Sequence, residues 1–158
     1  MNDTCIDISS AVNEIVRDYA SGSPDRTSLQ AKLAEMENEF YEIPIIIGGK
    51  EIHTGNKGQC RKPHNHKDIL AEYHKAGTEE VNQAIDVALN SWYSWSNTPL
   101  SERTLIFRRA AELLAGPWRD TINASTMLNQ SKNVYQAEID SACELIDFFN
   151  FNSQFAIE

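Results

Sequence analysis

The sequence predicts a mixed α/β chain, mostly α-helical, with a few short antiparallel strands confined to residues 43–76. Three observations carry that expectation. Apolar residues recur at i, i+3, i+4 and i+7 through both ends of the chain, which is the spacing of amphipathic helices. Between those ends, "IPIIIGG", "KEIHTG", "GQCRKP" and "DILAEYHKAG" are short extended runs separated by Gly, Asn and Pro. The whole is 158 residues with 41% hydrophobic and 23% charged residues, a balance compatible with one globular domain.

The elements follow in order. Ile8, Val12, Ile15, Val16 and Tyr19 have helical spacing, and "SGSP" at 21–24 closes that first helix. Ser23 can cap a second, with Pro24 in a tolerated first-turn position and Leu29, Leu33, Met36 and Phe40 as its apolar stripe. Pro44 should end it, because the residue before a proline is pushed out of the helical region. Within the β region, "TGNKG" at 54–58 reads as a hairpin turn. Thr78 can cap a helix carrying Val81, Ala84, Ile85, Ala88, Trp92 and Trp95. After "NTPLSER" at 97–103, Leu105, Ile106, Ala110, Leu113 and Leu114 line another helix up to Gly116-Pro117. Trp118 and Ile122 continue the period to about Leu128, and a last helix covers 134–157. The three tryptophans lie on apolar faces and are expected in the core, where aromatic side chains contribute most of their burial.

The last helix, opening with "QAEIDSACELIDFFNFN" at 136–152, raises the sharpest question. At about 100° per residue, Leu145, Ile146, Phe148, Phe149, Phe151 and Phe155 spread over about 220°, wider than a surface helix requires. One carboxylate, Glu144, falls inside that arc between Phe148 and Phe151. An acid there costs free energy unless it reaches water, an arginine or a cationic ligand. The residues alone leave those readings open.

Other chemistry is sparse. A formal net charge of -9 opposes a phosphate backbone, so no nucleic-acid partner is expected. No apolar stretch approaches the ~20 residues of a membrane span. Cys5, Cys60 and Cys143 are odd in number and widely spaced, a poor disulfide framework that suits a reducing compartment. Without a signal or transit pattern, a cytoplasmic location is expected. Cys60, His64 and His66 are an incomplete ligand set for structural zinc, so no metal site is expected. Arg61 and Lys62 flank Cys60 but alternate to the opposite strand face, so no catalytic role is assigned to its thiol. Gly48-Gly49 lacks the spacing of a dinucleotide fingerprint.

Together, "GSPDRTSLQ", "IPIIIGGKEIHTGNKG", "PHNHKDILAEYHKAG" and "AAELLAGPWRDTINASTMLNQSKNVYQAEIDSACELIDFFNFN" resemble the N-terminal part of the L-glutamate γ-semialdehyde (Δ1-pyrroline-5-carboxylate) dehydrogenases, within the aldehyde dehydrogenase superfamily. The resemblance runs from about Gly22 to Glu158. It implies an aldehyde dehydrogenase-like α/β fold whose Rossmann core lies outside this sequence. Residues 1–42 would then be an N-terminal helical segment, 43–76 a set of short strands, and 77–158 helices leading into the absent NAD-binding domain. It also implies NAD as cofactor, glutamate semialdehyde as substrate, and a homo-oligomer at full length. In that family a cysteine thiolate attacks the aldehyde and hydride passes to NAD. By its place in the motif, Glu144 matches a family glutamate near the substrate's amino group. No catalytic, cofactor-binding or metal-binding residue is assigned within the chain. The rival expectation is non-enzymatic: a helical interaction module docking the wide apolar helix onto another protein.

Overall fold

A computed structural model describes residues 10–158, so Cys5 and Ile8 lie outside the described residues. The elements are α1 (Pro24–Glu37), β1 (Tyr41–Ile43), β2 (Ile45–Ile47), β3 (Lys50–Ile52), β4 (Lys57–Lys62), β5 (Asn65–His74), α2 (Thr78–Asn97), α3 (Leu100–Ala115), α4 (Arg119–Gln130), α5 (Val134–Ala137), a π-helical turn (Glu138–Cys143) and α6 (Glu144–Phe155). Contacts divide the chain into two compact units. One gathers residues 10–33 with Pro99–Met127 and Lys132–Glu158, the other Ala34–Thr98 with Leu128–Ser131.

In the unit that holds the strands, β2 and β3 pair antiparallel around Gly48-Gly49. Both glycines have positive φ, 58° and 76°, as a tight two-residue hairpin turn demands and glycine permits. A second sheet has the order β1-β5-β4, with β4 antiparallel to β5 and β1 parallel to it. The parallel pair corrects the all-antiparallel expectation. A hairpin forces antiparallel pairing on its two arms, and β1 and β5 are not arms of one hairpin: β2, β3 and β4 lie between them in the chain. Residues 54–58 are not a hairpin turn either, because β3 pairs with β2 while β4 pairs with β5. They link the two sheets, held where Lys75 N donates to Asn56 O at 2.8 Å and Thr54 Oγ1 to Lys75 O at 3.0 Å.

Ser23 caps α1 as its position suggests, its Oγ accepting from Arg26 N at 3.2 Å. The helix stops at Glu37, well before Pro44, because Asn38 turns back and donates its side-chain Nδ2 to Ala34 O at 2.7 Å. Phe40 is left exposed outside the helix. Lys62 on β4 is buried, its ammonium 2.6 Å from Glu37 and 3.2 Å from Asp68. Gly77, rather than Thr78, is the N-cap of α2, with its N–H donated to Glu80 Oε2 at 2.7 Å. No α2 residue is buried.

In the other unit α3 packs along α6. Ala111, Ala142 and Ile146 form the centre, joined by Leu114, Ala115, Ile122 and Phe149. Asn133 and Gln136 form a reciprocal capping box that starts α5. The expected first helix is absent over residues 10–20, which run as an irregular strap. Its backbone groups bond to side chains of the last helix instead of to each other. Ala11 N donates to Gln154 Oε1 at 2.6 Å, Glu14 N to Asp147 Oδ1 at 2.7 Å and Arg17 N to Glu138 Oε1 at 2.8 Å. Partners every third residue replace the i to i−4 bonds a helix would have made.

Candidate functional site

The strap explains the π turn. At about 100° per residue, Asp147 and Gln154 share a face of a regular helix, while Glu138 falls about 180° from Asp147. A π turn takes up an extra residue, and the six residues from Glu138 to Cys143 bring Glu138 back to the strap side.

Once there, Glu138 is fully buried, as is Arg119 at the start of α4 with 1% exposure. The Arg119 guanidinium grips both Glu138 oxygens, reaches Glu14 Oε1 at 2.5 Å and donates to Ile15 O at 2.7 Å. Tyr19 OH donates to Glu138 Oε2 at 2.8 Å and accepts from Asn123 Nδ2 at 2.9 Å, which also donates to Glu138 at 2.8 Å. Tyr19 takes a left-handed backbone conformation, φ 51°, at the end of the strap. Burial alone would raise the Glu138 pKa, but Arg119, the Arg17 N–H, Tyr19 and Asn123 outweigh it and hold the carboxyl at about 2. The Cys143 thiol is pushed up to about 11, by burial and then by Glu138. It is therefore a poor nucleophile.

The wide apolar arc of α6 resolves into separate faces. Ile146 and Phe149 turn toward α3, with Phe107 and Phe149 ring centroids 5.8 Å apart. Asp147 and Gln154 hold the strap. Glu144, Phe148, Phe151 and Phe155 fall within about 60° of one another on a third side. Glu144 is exposed there, with Phe148 at 58% and Phe155 at 59% exposure. The acid suspected from sequence therefore heads an open aromatic stripe, and the acid that is buried and paired is Glu138. The signal that could have found it was Arg119, the one basic residue of α4.

In the other unit, α2 turns Val87 toward Gly48 and leaves Val81, Ile85, Leu89 and Trp92 exposed. The core expectation for the tryptophans is corrected: Trp92, Trp95 and Trp118 are all exposed. Trp92 and Trp95 lie on α2, and Trp118 lies in the turn between α3 and α4.

Cys60 is half-buried in β4, His64 Nδ1 lies 2.7 Å from Ser131 Oγ, and His66 is exposed. The three are not gathered into a ligand set among the described residues. Glu42, His53 and His74 are gathered instead, their ligand-type atoms all within 4.8 Å. His74 Nδ1 accepts from Gly55 N at 3.2 Å, which places the imidazole proton on Nε2, 2.9 Å from Glu42 Oε1. Lys57 Nζ lies 2.6 Å from the same oxygen. Its hydrogen bond, followed by that of His74, holds the Glu42 pKa at about 2. An ion on Nε2 would have to move that proton and displace the ammonium, so the trio reads as a hydrogen-bonded clasp. No dinucleotide cradle forms among the described residues either. Gly48-Gly49 is a hairpin turn, and the first turn of α2 carries Glu79 and Glu80, which repel a pyrophosphate.

The sequence profile of the aldehyde dehydrogenase family matches residues 52–158. The chain is 41% identical over 147 residues to a probable delta-1-pyrroline-5-carboxylate dehydrogenase of Schizosaccharomyces pombe, covering 92% of this chain and 27% of that protein. It is 40% identical over 146 residues to the mitochondrial delta-1-pyrroline-5-carboxylate dehydrogenase of Homo sapiens, covering 92% of this chain and 26% of that protein. In structure it is similar to the Delta-pyrroline-5-carboxylate dehydrogenase of Mycobacterium tuberculosis bound with NAD and cobalamin. The TM-score is 0.94 at 42% identity, over 99% of this chain and 30% of that one. The chain thus spans roughly a quarter of the length of its curated relatives. A family profile over most of the sequence, and a strand-and-helix order that superposes nearly end to end, agree: the chain belongs to the aldehyde dehydrogenase family.

Proposed function

We propose that this chain is the N-terminal part of an NAD-dependent dehydrogenase that oxidises L-glutamate γ-semialdehyde, formed from Δ1-pyrroline-5-carboxylate, to L-glutamate in proline degradation. The observation that carries this reading is the 42% identity over 99% of the chain to an NAD-bound relative of that name. The chemistry belongs to polypeptide beyond the described residues, because among them Cys60 sits in a strand without an activating partner and the Cys143 thiol is held protonated. Alone, the chain is inactive. Its contribution is a surface. Glu144 offers an open carboxylate beside Phe148, a pairing suited to a partly desolvated substrate ammonium and to rejecting aldehydes without one. The bare stripes of α2 and α6 are where the remainder of the enzyme packs. The enzyme acts as a cytoplasmic homo-oligomer, a location that suits the free thiols of Cys60 and Cys143.

A chimera tests this: residues 10–158 replace the matching segment of the Mycobacterium tuberculosis enzyme. The expected result is NAD reduction with Δ1-pyrroline-5-carboxylate. Glu144→Gln should erode the preference for glutamate semialdehyde over an uncharged aldehyde by about tenfold or more, about 1.4 kcal/mol. An unchanged preference would remove Glu144 from the site. NAD reduction by the isolated 158-residue chain would overturn its inactivity.

A further inference from the structure

We infer that Glu138 and Arg119 are positioning residues: by fixing the π turn they set the rotation of α6 and so keep Glu144 on the open face. The inference rests on the reading that Glu144 meets the substrate's ammonium group, and it names what aims that carboxylate.

The guanidinium holds both ends of the turn. Glu138, its first residue, is gripped through both carboxylate oxygens. Cys143, its last, has its sulfur 3.4 Å from Arg119 Nη2 and 3.7 Å from Glu138 Oε1. The strap closes over the same point through Arg17 N and Ile15 O.

The turn has a rotational consequence. One residue more or less in a helix rotates everything beyond it by about 100°. If 138–143 relaxed to a regular α-turn, Leu145 would replace Ile146 against Ala111, and Cys143 would take the place of Glu144 on the open face while Glu144 and the aromatic stripe turned away together. Arg119 and Glu138 never touch the open face, and they decide which side chain occupies it. A buried ion pair is weak evidence of net stabilisation, whereas fixing a register is its best-attested use.

The test uses the same chimera and reads steady-state kinetics with hydrogen exchange across residues 138–150. Glu138→Gln keeps the shape and removes the charge, and Arg119→Lys keeps the charge and removes the fork. Both should raise KM for glutamate semialdehyde by about tenfold or more, with kcat held within about twofold and the aldehyde preference lost, while exchange rises at 138–143. Glu144→Gln is measured beside them. If it leaves the preference intact, the underlying reading fails. If it abolishes the preference while Glu138→Gln and Arg119→Lys preserve it, the positioning inference is overturned. Equal loss of activity toward both aldehydes in both variants, or failure of both to fold, also overturns it, because that is what a purely structural pair does.

Discussion

Two sides of the last helix show opposite distributions of polarity. On the strap side, Arg119, Glu138, Asn123 and Tyr19 are charged or polar and inaccessible. On the open side, Phe148 and Phe155 are large, apolar and accessible. The difference is one of partners. Glu138 and the polar groups that grip it find those contacts within this chain, while among the described residues Phe148 and Phe155 of the open stripe stay largely uncovered. A buried charge survives because it is paired locally, and an exposed aromatic stripe of helical spacing persists because it is meant for something else. The strap side is thus held by contacts within the described residues, and the open side is the face on which we propose that the remainder of the enzyme packs.

That contrast can be broken from either end. Glu138→Ala leaves Arg119 buried without its main partner and should cost about 3–5 kcal/mol in chemical denaturation. A cost within that of an ordinary surface substitution would mean the pair is not buried. Acid provides a graded version. The Glu138 pKa is lowered from 4.5 to about 2, so its contribution is complete above pH 4.5 and lost as pH falls toward 2. The loss is of the order of 3 kcal/mol. A denaturation series across that window should flatten in Glu138→Gln. Tyr19→Phe removes one hydrogen bond to the carboxylate and should cost about 1.5–3 kcal/mol. At exposed positions, Phe148→Ser on the open side of α6 and Trp92→Ser on α2 should each shift stability by no more than about 0.5 kcal/mol. Both should reduce self-association in light scattering, and a large loss of stability in either would show that the side chain is covered.

Much of this contrast was legible in the sequence. Every helix from Pro24 onward was marked by its apolar spacing, and the excess width of the arc at 145–155 announced that α6 has more than one apolar face. What periodicity cannot register is an interaction that suppresses it. Val12, Ile15, Val16 and Tyr19 have helical spacing, yet side-chain acceptors more than a hundred residues away bind the N–H groups of Ala11, Glu14 and Arg17. The same distant contacts make the π turn, so a constant 100° step could not separate Glu138 from Glu144 as the buried acid. The Glu42, His53 and His74 clasp was hidden for a related reason: two paired strands, β1 and β5, and the linker after β3 bring it together. The tryptophans were misjudged because an apolar face was equated with a core of this chain.

Hydroxyl-radical footprinting of the 158-residue chain, read by mass spectrometry at a dilution where it is monomeric, tests the contrast most directly. The account predicts heavy modification of Phe148, Phe155 and Trp92 together with protection of Tyr19 and Ile146. Protection of Phe148 and Phe155 in the monomer would contradict it, since the stripe would then be covered by the chain itself.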